Sequence, residues 1–374
     1  MSLLPLSLFV VLGFSQFFTN KESRLIFVLW IALLLIALLS FLINQSISPI
    51  IIGKPIRQVV LLMGLIGLLS LVKKPFHIVA TAVFVAALIN ASVICAQYIL
   101  DFLHMDSSWL IMPSFNKDIN VAFRKPGLMC GYPSAGMLSL YGVLFGFWMI
   151  RRKFNLWLCL LIILLILTLF ITARTALYLG ALVLPLFFIV YFRSKSFMKM
   201  GFLFAFSFSL LVSTFLSFKI IHTDTIKVMF EIFITFFETG QISTRSSTAL
   251  LGSLFYYPEM TTFLIGNGYM NLTDQLTNID SGYQQKLFGG GIFYLILMIF
   301  TFFCYWFLAS RSLGDHCSKF VTHTIFFLIL ITDLKGGMIF AQVVGDVAVM
   351  LATCSLVSSP AKTKEILFRS PSCV

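Results

Sequence analysis

The chain has 374 residues, 59% of them hydrophobic and 11% charged, with a formal net charge of +12. No water-soluble domain of this size can bury that much apolar surface, which excludes a soluble enzyme or binding module. The basic excess does not point to nucleic acid, because in a membrane protein Lys and Arg first report orientation.

A bilayer-spanning helix needs about 20 mostly apolar residues, and this chain supplies many such runs. They are continuous rather than alternating, which argues against a barrel and predicts an all-α, polytopic integral membrane protein. The whole of residues 1–374 reads as a single membrane domain. Residues 2–18 form the first apolar run. No basic region precedes it and Lys21 and Arg24 follow it, so it reads as a retained span and not a cleaved signal. Ten further spans are predicted over 25–43, 58–72, 76–100, 134–150, 156–172, 176–192, 201–221, 287–309, 320–332 and 338–357, about eleven in all. Residues 45–57, with Pro49, Gly53 and Pro55, read as a loop, and 333–337 as a turn. Asn90 lies within a span, where its amide is expected to bond a neighbouring helix. The seven cysteines are an odd number, and most fall in apolar runs. They form no disulfide framework and no metal-ligand spacing.

Alternate loops differ in how their basic residues are placed. Lys21, Arg24, Lys73, Lys74, Arg151, Arg152, Lys153, Arg193, Lys195, Lys199, Arg311, Lys319, Lys362, Lys364 and Arg369 crowd short segments at span ends. That is where the positive-inside rule acts, so this side is expected to be cytoplasmic. The two long loops, 102–133 and 222–286, are then extracytoplasmic, with the C-terminus inside and the N-terminus outside. Within the larger loop, 225–239 reads as a helix. Val228, Ile232, Phe233, Phe236 and Phe237 are apolar while Lys227, Glu231 and Glu238 share a face, which suits a helix at the membrane interface or over a cavity. A second helix is expected from Ser243 or Thr244 to just before Pro258, and Gly266-Asn267-Gly268 is a turn.

The polar loops hold the residues with chemistry to offer. Arg245 falls in the first turn of the second loop helix. A cation there opposes the helix dipole unless an anion binds, when free N–H groups, dipole and guanidinium all favour it. Arg174 interrupts two apolar runs and opens the helix after it; a mid-membrane Arg costs about 2.5–3.5 kcal/mol, reduced where it can snorkel. Arg124 and Lys125 sit in the other long loop and suit the same anion. Each of these cations reads equally simply as a loop charge or headgroup anchor. Asp280 precedes Ser281-Gly282-Tyr283 and reads either as a general base for a hydroxyl or as a helix cap. His104 and His222 are loop histidines on the same side. Several arginines and a carboxylate on one side of a membrane suggest a pyrophosphate-bearing lipid.

The order of these elements resembles the O-antigen polymerase and ligase superfamily, integral-membrane glycosyltransferases of the GT-C type. Three stretches carry the likeness. They are Thr172-Ala173-Arg174-Thr175-Ala176 between two spans, Ser243-Thr244-Arg245 followed by Pro258 and Gly266-Asn267-Gly268, and Asp280-Ser281-Gly282-Tyr283 followed by Gly289-Gly290-Gly291. With Arg124–Gly127 and Pro133, they span roughly residues 120–300. The resemblance implies an inverting, metal-independent and cofactor-free transfer of an oligosaccharide from undecaprenyl pyrophosphate in a bacterial inner membrane. Arg174 and Arg245 would hold the pyrophosphate, Arg124, Lys125 and Tyr283 would bind substrate, and Asp280 would act at the acceptor. Membrane lipid and a chain-length regulator are the implied partners. The family's ligases carry a histidine in the third block. Here that position is Asp280, with no histidine between His222 and His316, so the resemblance favours a repeat-unit polymerase over a ligase.

Overall fold

The computed structural model describes residues 9–10, 13–14, 17–18, 20–44, 50–110, 125–129, 131–191, 231–240, 258–268, 281–311, 313–341 and 343–368. Among them the regular structure is all helical. The helices are α1 (Lys21–Asn44), α2 (Ile50–Ser70), α3 (Pro75–Phe102), α4 (Tyr132–Arg152), α5 (Leu156–Thr172), α6 (Arg174–Tyr191), α7 (Glu231–Thr239), α8 (Met260–Ile265), α9 (Gly282–Arg311), α10 (His316–Asp333) and α11 (Val344–Phe368). Five of them, α1 to α4 and α9, are long and apolar enough to cross a membrane, and α5, α6 and α11 hold shorter apolar stretches.

The outward faces are those of a chain compatible with a membrane. Helix α1 buries Ile26, Leu29, Trp30, Leu33 and Ala37 on one stripe, yet Leu25, Val28, Leu35, Leu39 and Leu42 on the other stripes are exposed. A helix whose buried and exposed stripes are both apolar is matched to hydrocarbon rather than to water.

The chain divides into two compact units, one formed by 1–79 and 248–374 and the other by 80–247, with the boundary inside α3. In the first, α9 packs on α1, α8, α10 and α11, and α2 packs on α1 and α11. In the second, α4 packs on α5 and α6. Glycines permit this: a Cβ on Gly142 would overlap Ala87 and Leu165, and one on Gly146 would overlap Ile162 and Phe84. Close backbone approach through small residues is how helices associate where the hydrophobic effect offers nothing.

Several expected boundaries move. Residues 156–172 are α5 to the residue, because Asn155 caps its start by accepting from Trp157 N at 3.0 Å and Ala173 is extended at its end. The loop expected over 45–57 is instead helix from Ile50 onward, with Pro55 inside it; Arg57 and Gln58 find partners on α11. The span expected from 287 begins at Gly282, and the last, expected from 338, begins at Val344. Between α10 and α11 the backbone is irregular, and Phe340 and Val343 both adopt positive φ. Phe340 holds the conformation by packing edge-on against Trp30 and Tyr305, with ring centroids 4.8 and 5.6 Å away. Of the helix expected over 225–239, Glu231–Thr239 is helical and 225–230 lies outside the described residues. So do the spans expected over 201–221 and most of 2–18, and the helix expected before Pro258.

The expected turn Gly266-Asn267-Gly268 and the glycine run 289–291 meet. Helix α9 breaks at Gly291 (φ 76°, ψ 179°), and Gly266 has nearly the same backbone geometry (φ 79°, ψ 174°). The break frees carbonyls, which are satisfied at once: Asn267 N donates to Phe288 O (2.6 Å), Gly268 N to Gly289 O (2.9 Å), and Ser40 Oγ to Gly289 O (3.1 Å). Asn44 Nδ2 donates to Gly266 O at 2.9 Å and closes the arrangement. Freed backbone groups inside a bilayer must be re-satisfied in this way. Both glycines lie in a region open to almost no other residue, which costs about 1–3 kcal/mol otherwise, and a Cβ on Gly291 would overlap the Leu264 carbonyl. Gly291→Ala should therefore lower the thermal midpoint in detergent. Gly53→Ala, whose Cβ meets nothing within 4 Å, should be neutral, and equal midpoints for both variants would contradict this account.

Candidate functional site

In the second unit the break between α5 and α6 places Arg174, and the backbone of Lys125 reaches the end of α5. Ala173 is extended (φ −143°, ψ 125°), so α5 stops and Arg174 opens α6. The turn packs tightly because α4 offers Gly136, where a Cβ would fall 2.7 Å from the Ala176 Cβ and 3.1 Å from Thr172 Oγ1. Lys125 N donates to Ile171 O at 3.4 Å, which brings the 125–129 segment to the end of α5. Helix α3 holds the same segment from its other side. Gln97 bonds both backbone groups of Gly127 (3.0 and 3.2 Å), and Asn90 Oδ1 accepts from Leu128 N at 2.8 Å. Asn90 thus bonds a loop backbone rather than the neighbouring helix expected for it. Gly127 has φ 63° and lies too close to Asn90 for a side chain.

Each cation there carries an acid. Arg174 Nη1 pairs with Glu231 Oε2, which reaches it from the first residue of α7. Lys125 Nζ lies 3.4 Å from Asp101 Oδ2, with the lysine side chain 1% exposed. Lys125 is therefore a buried, paired charge and not a surface loop charge. Arg174 and Glu231 are partly open, at 14% and 29% exposure. Among the described residues Arg174 is paired with Glu231, and an anion binding at this guanidinium would compete with that carboxylate. Beyond Glu231, α7 exposes Phe236 and Phe237.

The first unit holds a second polar cluster that sequence reasoning missed. Lys286, in the first turns of α9, donates to both carboxylate oxygens of Asp333 at the end of α10, at 2.6 Å to Oδ1. Both side chains are almost fully buried. Asp333 Oδ1 also accepts from Ile339 N at 2.8 Å. About two turns into α2, Arg57 pairs with Asp346 on α11. Asp346 also accepts from Gln58 Nε2 (3.3 Å) and Val343 N (3.1 Å). Arg57 stands thirteen residues before Ser70, about 20 Å along α2 at about 1.5 Å per residue. That places a charged pair well inside a bilayer-length helix, where ionisable residues are costly and mark functional sites. Tyr283, nominated as a substrate contact, belongs to this cluster: its hydroxyl donates to Leu330 O at 2.8 Å and the Lys286 Nζ lies 5.5 Å from its ring. The only sequence signal was a set of charges at the edges of apolar runs, which reads as loop ends. Arg124, Arg245 and Asp280 lie outside the described residues.

Comparison with family models, with curated proteins and with solved structures finds no match.

The buried Lys286–Asp333 pair generates a stability test. Removing one partner of such a pair strands a charge and costs about 3–5 kcal/mol, whereas neutralising both is far milder. Lys286→Met should therefore collapse the folded yield and thermal midpoint in detergent. Lys286→Met combined with Asp333→Asn, whose amide oxygen still accepts from Ile339 N, should recover much of the loss. A double variant no better than the single one would show that the pair is not what the lysine supplies.

Proposed function

We propose that this chain is an oligosaccharide repeat-unit polymerase of a bacterial inner membrane. It would transfer a growing glycan from undecaprenyl pyrophosphate to the non-reducing sugar of another lipid-linked unit. The observation that carries the reading is the α5–α6 break, where Arg174 and the 125–129 segment come together between two apolar helices, with Glu231 holding the place of an anion. The resemblance assigns the pyrophosphate to Arg174 and Arg245, and the positive-inside pattern puts the loops of both on the extracytoplasmic side.

In the proposed reaction the acceptor hydroxyl attacks the anomeric carbon as the bond to the pyrophosphate oxygen breaks. Charge develops on the departing pyrophosphate, and planar, bidentate guanidinium groups stabilise it. Glu231 leaves Arg174 as the anion arrives, so the cation is never left bare in a low-dielectric setting. The proton of the hydroxyl passes to a base, the role given to Asp280. A chain-length regulator and membrane lipid are the further partners.

A transporter of lipid-linked glycans is the second reading, favoured by the broken helix at Gly291 and the charges inside α2 and α9, features that transporters place at their substrate sites. A ligase that passes glycan to lipid A–core is the third. A deletion strain separates them. Loss of a polymerase leaves core capped with a single repeat unit; loss of a ligase leaves bare core with long glycan stranded on the lipid carrier; loss of a transporter leaves neither product at the surface. Surface glycan run on a gel beside the lipid-linked pool should show the single-repeat pattern. Arg174→Ala should reproduce it at normal protein levels, and Arg174→Lys should restore little because Lys lacks the planar fork. Bare core, or normal chain lengths in Arg174→Ala, would overturn the assignment.

A further inference from the structure

In the first unit the last turns of α9 and the first turns of α10 carry polar groups on their outward face. Trp306 Nε1 donates to His323 Nδ1 at 2.7 Å, from one helix to the other. An indole N–H can only donate, so Nδ1 must accept, and the neutral ring then carries its proton on Nε2. His323 is exposed, and among the described residues its ring makes no other hydrogen bond. The neighbouring outward residues are apolar. Phe303 and Phe307 on α9 and Phe327 on α10 are exposed, and the Phe303 ring stacks on Trp306 with centroids 5.8 Å apart. An N–H donor on such a surface finds no water where hydrocarbon surrounds it, so its acceptor must come from the lipid.

Depth decides which lipid oxygen that is. Helix α10 starts at His316, so Lys319 stands about 4.5 Å and His323 about 10.5 Å along it at about 1.5 Å per residue. Residues four apart share a helix face, so Lys319 lies on the face of His323, one turn nearer the aqueous phase. About 6 Å separates the two levels, and the polar layer of each leaflet is about 5–7 Å thick. A phosphate at the level of Lys319 therefore leaves the acyl ester carbonyls of the same molecule at the level of His323. Arg311, 66% exposed at the end of α9, adds a second cation at the outer level, 3.0 Å from Glu22 Oε1. Asp315, the acid nearest to Lys319 in sequence, accepts from the Ser318 N–H and hydroxyl at 2.7 Å each and so caps its own helix.

We propose that this outer face of α9 and α10 binds an anionic glycerophospholipid. Lys319 meets the phosphate as a point charge, His323 Nε2–H donates to an acyl ester carbonyl, and the chains lie along Phe303, Phe307 and Phe327. Trp306 is a positioning residue that fixes the imidazole tautomer and the ring orientation through Nδ1. Arg311 and Lys319 belong to the basic set expected on the cytoplasmic side, where anionic lipid attracts juxtamembrane cations. The site lies within the first unit and does not rest on the polymerase reading.

The test uses the full chain purified in dodecyl maltoside, with the thermal midpoint followed against lipid added in mixed micelles. The probes are phosphatidylglycerol with ester-linked chains, phosphatidylglycerol with ether-linked chains, and ester-linked phosphatidylcholine. Wild type should bind the ester phosphatidylglycerol most tightly. The ether lipid lacks the carbonyl acceptor, and one lost hydrogen bond should raise its apparent Kd by about two- to tenfold. His323→Phe should erase the preference for ester over ether while still preferring phosphatidylglycerol to phosphatidylcholine. Lys319→Gln should keep the ester preference and lose most of the head-group preference. A merely structural role for either residue would lower the midpoint without lipid and leave both preferences intact. Should His323→Phe fail to accumulate, wild type and Lys319→Gln decide the matter by the same comparisons. No ester preference or no head-group preference in wild type, or an ester preference that survives in His323→Phe, overturns the proposal.

Discussion

Lys286 and Asp333 face each other with almost no water around either side chain. In a medium of low dielectric two such charges cannot separate, because each would then bear its own desolvation penalty. The pair therefore fixes the start of α9 against the end of α10. Its effect runs further, since Asp333 also takes the Ile339 N–H and so sets the path of the irregular backbone that leads into α11. That path brings Phe340 into its aromatic setting, holds Val343 at positive φ and delivers Asp346 to Arg57 and Gln58. One ion pair thus organises the polar interior of the first unit.

Glycine makes the complementary contribution. Where hydrocarbon surrounds a protein, apolar surface gives no reason for helices to associate, so close backbone contact and internal hydrogen bonds must do so. Gly136 lets the Ala173–Ala176 turn approach α4, and that approach sets where Arg174 emerges. Gly266 and Gly291 let α8 lie against the break in α9, and the freed carbonyls find Asn267, Gly268 and Ser40. The same economy appears at the 125–129 segment, where side-chain amides of α3 take the place of a backbone ladder.

How much of this was legible depended on how local its cause is. Span 156–172 was readable to the residue, because its cap, Asn155, and its break, Ala173, lie next to it in the chain. The α2 start reads as a loop from Pro49, Gly53 and Pro55 until Asp346 is known to stand beside Arg57. That partner lies 289 residues away, beyond the reach of any periodicity. Arg174 and Lys125 stand out in the sequence as charge at a helix entrance; the Lys125 backbone meets the end of α5, while its side chain pairs with Asp101. Their acid partners Glu231 and Asp101 were invisible for the same reason as Asp346. Lys286 was counted as the last residue of a loop, although Gly282 and Tyr283 already begin the helix. Its burial follows from Asp333, again a distant residue.

The proposal tested here is that this chain, with its Arg174–Glu231 pair, joins lipid-linked repeat units without help from a soluble enzyme. The most direct measurement reconstitutes the purified chain in liposomes with undecaprenyl-pyrophosphate-linked repeat units as the sole glycan substrate and resolves the products by length. The account predicts a ladder of lipid-linked oligomers growing by one repeat unit at a time, with undecaprenyl pyrophosphate released in step. Repeat units that remain single in the presence of the intact, folded protein would contradict it.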